Sequence, residues 1–214
     1  MEKRGDIMND VLSIVKKAKL LPVVVIKKIE ETEAILDALN VGGLPVAEIT
    51  FRTECAADAI KLAAEKFPQM LIGAGTVINE RQCRQALSCG AKFIVSPGFS
   101  EDVAAAAKEA GAPYFPGCVT PTEIMNALKW DIDKIKFFPA QIYGGLKAIN
   151  ALGAAFPNVK FIPTGGVDNA NLAEFIKSEK IFACGGSWLV KGGYDEILKT
   201  VKEAVKIVKE AADI

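Results

Sequence analysis

Short apolar, β-prone runs alternate with amphipathic helical patterns along the whole chain, and this alternation limits the fold more than any other feature. The pattern predicts strands at 21–26, 46–50, 70–73, 92–96, 113–115, 135–138, 160–163 and 181–183. It predicts helices between them at 31–39, 54–66, 80–89, 101–110, 122–128, 145–154 and 170–177, with a first helix over 6–20 and a last over 194–211. Parallel neighbours need a crossover, usually a helix, so a strand–helix–strand series builds a parallel sheet. Repeated over 214 residues with no break in composition, the unit predicts an α/β fold. The expected form is a closed (β/α)8 TIM barrel with an extra N-terminal helix, one domain over residues 1–214. An open, doubly wound sheet is the other arrangement that the same alternation permits.

Half of the residues are hydrophobic, enough for a sizeable core. Lys plus Arg and Asp plus Glu both number 26, giving a net charge of zero. No basic surplus is available to attract nucleic acid or an anionic membrane. Each apolar run is cut short of the ~20 residues that a membrane helix needs. Residues 1–10 lack the apolar core of a signal peptide, so a cytoplasmic location is expected. The cysteines at 55, 83, 89, 118 and 184 are odd in number and include no C-x-x-C, which favours free thiols. Histidine is absent. His-based triads, His general bases and most zinc or iron sites are thereby excluded. No metal and no cofactor is expected. Acid–base chemistry must come from Glu, Asp, Lys, Tyr, Cys or water.

In a parallel barrel the active site lies where the strands end and the following loops begin. Those places here carry Glu48-Ile49-Thr50-Phe51-Arg52, Gly73-Ala74-Gly75-Thr76, Ser96-Pro97-Gly98, Pro116-Gly117, Lys136, Thr164-Gly165-Gly166 and Gly185-Gly186-Ser187. Ordinary turn chemistry accounts for most of the glycines. It does not account for Glu48, Arg52 and Lys136, all at strand ends. Lys136 stands in the apolar run Ile135–Phe138, where an ammonium loses hydration. Desolvation favours the neutral amine, which attacks carbonyls, so Lys136 is a candidate Schiff-base lysine. On the local sequence alone, a snorkelling lysine with its head in water fits too.

Strand side chains alternate with period two. Glu48, Thr50 and Arg52 share one face, while Ala47, Ile49 and Phe51 share the other and should face the helices. Glu48 then points into the barrel, and the same logic turns Lys136 inward. They can pair there as a structural ion pair, or exchange protons during catalysis. Arg52 has the planar fork that suits a substrate carboxylate, with a surface ion pair as its plain alternative. Lys134, at the start of the same strand as Lys136, is expected to be solvated at the opposite mouth. The glycine pairs 165–166 and 185–186 follow the seventh and eighth predicted strands. Loops at that place in such barrels commonly hold a phosphate on backbone amides.

Taken together and in order, these motifs resemble one family. They are Pro22-Val23-Val24-Val25-Ile26, Glu48-Ile49-Thr50-Phe51-Arg52-Thr53, Gly73-Ala74-Gly75-Thr76-Val77, Ser96-Pro97-Gly98, Pro116-Gly117, Lys136-Phe137-Phe138-Pro139-Ala140, Pro163-Thr164-Gly165-Gly166 and Gly185-Gly186-Ser187-Trp188-Leu189. The chain is similar over nearly its whole length to the class I 2-keto-3-deoxy-6-phosphogluconate (KDPG) aldolases, which often also act on 2-keto-4-hydroxyglutarate (KHG). The resemblance implies Lys136 as the Schiff-base lysine and Glu48 as the general acid–base. It implies Arg52 and Thr76 at the pyruvate carboxylate, with Pro97 and Phe138 lining the pocket. Thr164, Gly165, Gly166, Gly186 and Ser187 would hold the distal phosphate or carboxylate. It also implies a homotrimer acting on a small phosphorylated keto sugar acid. One departure is Gln141, where the family often has glutamate.

Two other functions compete. A phosphosugar isomerase or epimerase could use the same phosphate site without Lys136. A non-catalytic phosphate-binding barrel would have little use for Glu48, Arg52 and Lys136 together.

Overall fold

The computed structural model describes residues 2–212, and side chains for 8–211. The domain bounds read from the sequence, 1 and 214, fall outside the described residues. The helix α1 (Glu2–Ala18) comes first, and then eight strands alternate with helices. The strands are β1 (Leu20–Val24), β2 (Val46–Thr50), β3 (Leu71–Gly75), β4 (Ile94–Val95), β5 (Tyr114–Phe115), β6 (Lys134–Phe137), β7 (Lys160–Pro163) and β8 (Cys184–Gly186). The helices are α2 (Glu31–Val41), α3 (Ala56–Lys66), α4 (Glu80–Ser88), α5 (Glu101–Ala110), α6 (Pro121–Leu128), α7 (Gly145–Ala155), α8 (Leu172–Ile176) and α9 (Tyr194–Ala212).

Six strands form one parallel sheet in the order β5-β4-β3-β2-β1-β8, and β6 pairs with β7 in parallel. Single bridges join the two sheets. Gly117 pairs with Lys136 on one side, and Thr164 with Gly185 on the other. Lys136 donates its amide to the Pro116 carbonyl at 2.8 Å and accepts from the Cys118 amide at 2.9 Å. The ring therefore closes as a (β/α)8 barrel, as the alternation predicts, rather than as an open sheet.

Local chemistry sets several of the loops on the strands' C-terminal side. Asn79 accepts from the Gln82 amide and starts α4. Ser100 does the same for α5 through the Val103 amide, and Gly111 ends that helix at φ 72°. A Thr120–Glu123 capping box with Pro121 in the first turn fixes α6. Each cap satisfies amides that a helix start leaves open, which pins the loop before it.

The barrel interior is packed with side chains. A Cβ at Gly73 would overlap the Phe93 ring. Phe115 packs on Phe93 at 5.8 Å between centroids, and Phe182 packs on Phe115 at 6.2 Å. Two residues along β3, on the same face, a Cβ at Gly75 would overlap the Glu48 carboxylate. The glycines of β3 thus leave interior volume for larger side chains on their neighbours.

The structure corrects four expectations. Leu20 belongs to β1, paired with Cys184, and α1 ends at Ala18 before Lys19 at φ 58°. The eighth strand is Cys184–Gly186, not 181–183, so Gly185 and Gly186 lie in the strand rather than in a loop after it. They fit because a Cβ at Gly185 would meet the Thr164 hydroxyl, and one at Gly186 the Trp188 ring. Arg52 lies beyond β2, which stops at Thr50, so strand alternation does not govern it. Lys134 is half-buried rather than solvated, held by Asp133 at 2.7 Å. A short 3-10 turn at Trp188–Val190, unforeseen in the sequence, follows β8. All five cysteines are free. Among the described residues, no helix is long and apolar enough to cross a membrane.

Candidate active site

Glu48 sits in the middle of β2, with Val23 of β1 and Gly73 of β3 as register partners. Lys136 sits in β6 opposite Ile162 of β7. Both are interior positions on hydrogen-bonded strands, so their backbones are fixed. Glu48 is fully buried and Lys136 is 4% exposed. Their side chains meet across the barrel, with Lys136 Nζ 3.2 Å from Glu48 Oε1. Among the described residues, Glu48 Oε2 has no partner. Burial pushes the Glu48 carboxyl above the ordinary carboxylate range, and the neighbouring Lys136 ammonium acts in the opposite sense. The Phe138 ring lies against the amine, its centroid 5.7 Å from Nζ. Thr50 is buried and donates to the Val24 carbonyl, a structural role.

A cavity of about 260 Å³ opens at the C-terminal ends of the strands. Its lining includes Arg52, Phe138, Thr164, Gly165, Gly166, Gly186 and Ser187, all named from the sequence. The Lys136–Glu48 pair lies next to its wall, since Val23 and Phe138 line it. Arg52 Nε donates to the Thr76 hydroxyl at 2.8 Å, which brings Thr76 to the same corner. Thr76 itself adopts φ 55°. Pro97 lies outside the cavity, exposed, with its carbonyl against Gly117.

Gly165 and Gly166 have φ 91° and 85°, a conformation glycine adopts without strain. Among the described residues, their amides have no backbone acceptor. Their carbonyls are engaged, by the Gln141 amide at 3.0 Å and by Asn171 Nδ2 at 2.8 Å. A Cβ at Gly166 would overlap Gln141, so that residue packs directly behind the loop. Trp188, Asp168 and Lys191 complete this end of the cavity. Trp188 belongs to the last of the family motifs but has no site role assigned from the sequence, and no sequence motif includes Asp168 or Lys191.

Two buried cysteines are held as poorly reactive thiols. Burial pushes the Cys118 thiol up to about 12 and the Cys83 thiol up to about 11. A second cavity, of about 300 Å³, lies at the opposite mouth, lined by Met8 and Leu12 of α1 and by Tyr114, Trp130 and Lys134. Its lysines are paired, Lys134 with Asp133 and Lys108 with Asp131. Among the described residues, no group of three or more His, Cys, Asp or Glu side chains could hold a metal ion.

A buried amine and a carboxylate in hydrogen-bond contact, beside a cavity holding an arginine, can form an imine on a keto acid and move protons around it. That is the equipment of a carbon–carbon lyase on a parallel barrel. The family model described as KDPG and KHG aldolase matches residues 11–204. The KHG/KDPG aldolase of Escherichia coli K12 is 40% identical over 203 residues, covering 92% of this chain and 95% of its own. KDPG aldolase of Zymomonas mobilis ZM4, solved with 3-phosphoglycerate, superposes with a TM-score of 0.88 at 37% identity, over 94% of this chain and 97% of that one. The Legionella pneumophila KDPG aldolase, with pyruvate captured as a covalent carbinolamine, gives 0.83 at 33% identity, over 94% and 97%. The chain belongs to the KDPG and KHG aldolase family.

Proposed function

We propose that this aldolase cleaves KDPG to pyruvate and glyceraldehyde 3-phosphate, and KHG to pyruvate and glyoxylate, with Lys136 as the imine-forming residue. The single observation that carries this is the 3.2 Å contact between two buried groups, Lys136 Nζ and Glu48 Oε1, beside the cavity. The neutral amine adds to the C2 ketone of the substrate. Loss of water gives an iminium, which draws electrons from the C3–C4 bond. Glu48 takes the C4 hydroxyl proton as that bond breaks, releasing the aldehyde and leaving an enamine. Protonation at C3 and addition of water then free pyruvate and the amine. Arg52, held by Thr76, takes the substrate carboxylate in a fork of N–H donors, with Phe138 beside the pyruvyl group.

The distal anion sits on Thr164, Gly165, Gly166, Gly186 and Ser187. Gln141 keeps a carboxylate away from that loop, which favours an anionic tail. The enzyme works as a cytoplasmic homotrimer of single-domain barrels. The exposed Ile142 (82%) and Tyr143 beside the mouth are surfaces of the kind that a subunit contact covers. Light scattering on the purified protein tests the trimer. Pyruvate release from KDPG and KHG, followed with lactate dehydrogenase, tests the activity. An isomerase or a non-catalytic barrel releases none.

A further inference from the structure

We propose that Lys191 is the cation that holds the substrate's distal anion, and so selects substrates with a charged tail. This rests on reading the glycine-lined end of the cavity as the distal anion site. Two cationic side chains line that cavity, Arg52 and Lys191. Arg52 follows β2 and Lys191 follows β8, and β1 lies between those strands in the sheet. A molecule with a carboxylate at one end and a second anion at the other would meet one cation at each end. Arg52 Nε is already committed to Thr76. Among the described residues, Lys191 has no hydrogen bond or ion pair in the structure, and its side chain is exposed.

Carboxylates nearby do not consume its charge. Lys191 also lines an adjoining cavity with Glu196 and Glu203. Glu196 Oε2 accepts from the Gly193 amide at 2.9 Å, which caps the start of α9. Glu203 Oε2 accepts from Asn169 Nδ2 at 3.0 Å. Asp168, which shares the main cavity, accepts from the Ala170 amide through Oδ1 at 2.9 Å. Among the described residues none of these three carboxylates forms an ion pair with Lys191, so the ammonium remains for a ligand. The chain around it is set by packing. The Trp188 indole donates to Asn169 at 2.9 Å, and a Cβ at Gly186 would overlap its ring. That fixes the turn from which Lys191 leaves. An ammonium is a point charge with three donors, suited equally to a phosphate or a carboxylate.

The test compares wild type, Lys191→Ala and Lys191→Arg on three substrates. KDPG has a phosphate tail, KHG a carboxylate tail, and 2-keto-3-deoxygluconate a neutral one. In Lys191→Ala, KM for both charged-tail substrates should rise about tenfold, the scale of one charge-assisted hydrogen bond at a half-open site. Values for the neutral-tail substrate should change less than twofold, and kcat should hold. Lys191→Arg should restore most of the loss. Added salt should weaken wild type more than Lys191→Ala on charged tails. Equal effects on all three substrates, or none, would overturn the assignment of Lys191. If wild type treats KDPG and the neutral sugar acid alike, the phosphate site is wrong. KHG, whose tail is also charged, then still decides whether Lys191 holds an anion.

Discussion

Lys136 Nζ donates to Glu48 Oε1 at 3.2 Å, while Oε2 of the same carboxylate has no partner among the described residues. A fully satisfied ion pair would be a structural device. A buried carboxylate oxygen left open costs free energy unless something else binds it. An incoming hydroxyl, or the water lost from the carbinolamine, can occupy that place.

Imine formation is the first consequence. Borohydride added with pyruvate should inactivate the protein and leave a reduced adduct on the peptide carrying Lys136. Lys136→Arg should abolish turnover, because a guanidinium does not act as this nucleophile. An adduct on Lys134, or none, would defeat the assignment.

Glu48→Gln keeps the size and loses the proton transfer, so kcat should fall roughly 10²–10⁴-fold. The stability data should show a pH signature as well. Burial raises the folded-state value of Glu48, so the folded protein binds a proton that the unfolded chain has released. The stability this group contributes is full below its unfolded value, about 4.3, and is lost as pH rises through the folded one. The stability of Glu48→Gln relative to wild type should therefore rise with pH across that window. Urea titrations at a series of pH values measure it, and a flat difference would contradict the buried-carboxyl account.

Arg52 and Thr76 should behave as one unit, because Arg52 Nε is anchored on the Thr76 hydroxyl. Arg52→Lys loses the fork and should raise KM about 10-fold or more with kcat largely kept. Thr76→Val should move KM the same way by less. Their combination should cost less than the sum, as expected for contacting residues. Full additivity in the double-mutant cycle would mean that Thr76 does not position Arg52.

Metal removal should change nothing. The sequence has no histidine, and the imine route uses only an amine, a carboxylate and water. Activity should survive prolonged EDTA treatment. Loss on chelation with recovery on adding a divalent ion would point to a different chemistry.

Much of this could be read in the sequence because the strand runs are apolar and the reactive residues interrupt them. The strands β2 and β7 occur at the predicted bounds 46–50 and 160–163. Lys136 and Glu48 were visible as charges in hydrophobic surroundings. The strand β8 is hard to place from sequence because its Cys-Gly-Gly has little hydrophobic signal beside the apolar Ile181–Ala183 just before it. Its glycines answer to Thr164 and Trp188, contacts that only the closed barrel creates. The Arg52–Thr76 bond depends on the register of β2 and β3 and on Arg52 leaving the strand. Lys191 gave no signal, since one lysine after an apolar turn resembles any solvated residue. Its place beside Gly165 and Gly166 arises from the ring bringing β8 next to β7.

Gly75 offers a last test that separates geometry from charge. It lies beside Glu48 on the inner face, and a Cβ there would overlap the carboxylate, with Glu48 Oε1 the nearest atom. Glu48 is fully enclosed and cannot withdraw without moving away from Lys136. Gly75→Ala should therefore lower kcat roughly 10²-fold, since a misplacement of about 1 Å has that effect at a reacting centre. The charges of Lys136, Glu48 and Arg52 are all retained in this variant. KM for the charged-tail substrates should change little, because the distal anion site belongs to β7 and β8. Borohydride trapping with pyruvate should still label Lys136, though more slowly. A variant with normal kcat would show that Glu48 does not need its observed position. A variant that loses kcat and distal-anion affinity together would place the damage in the barrel as a whole, and urea denaturation of the same preparation would expose it.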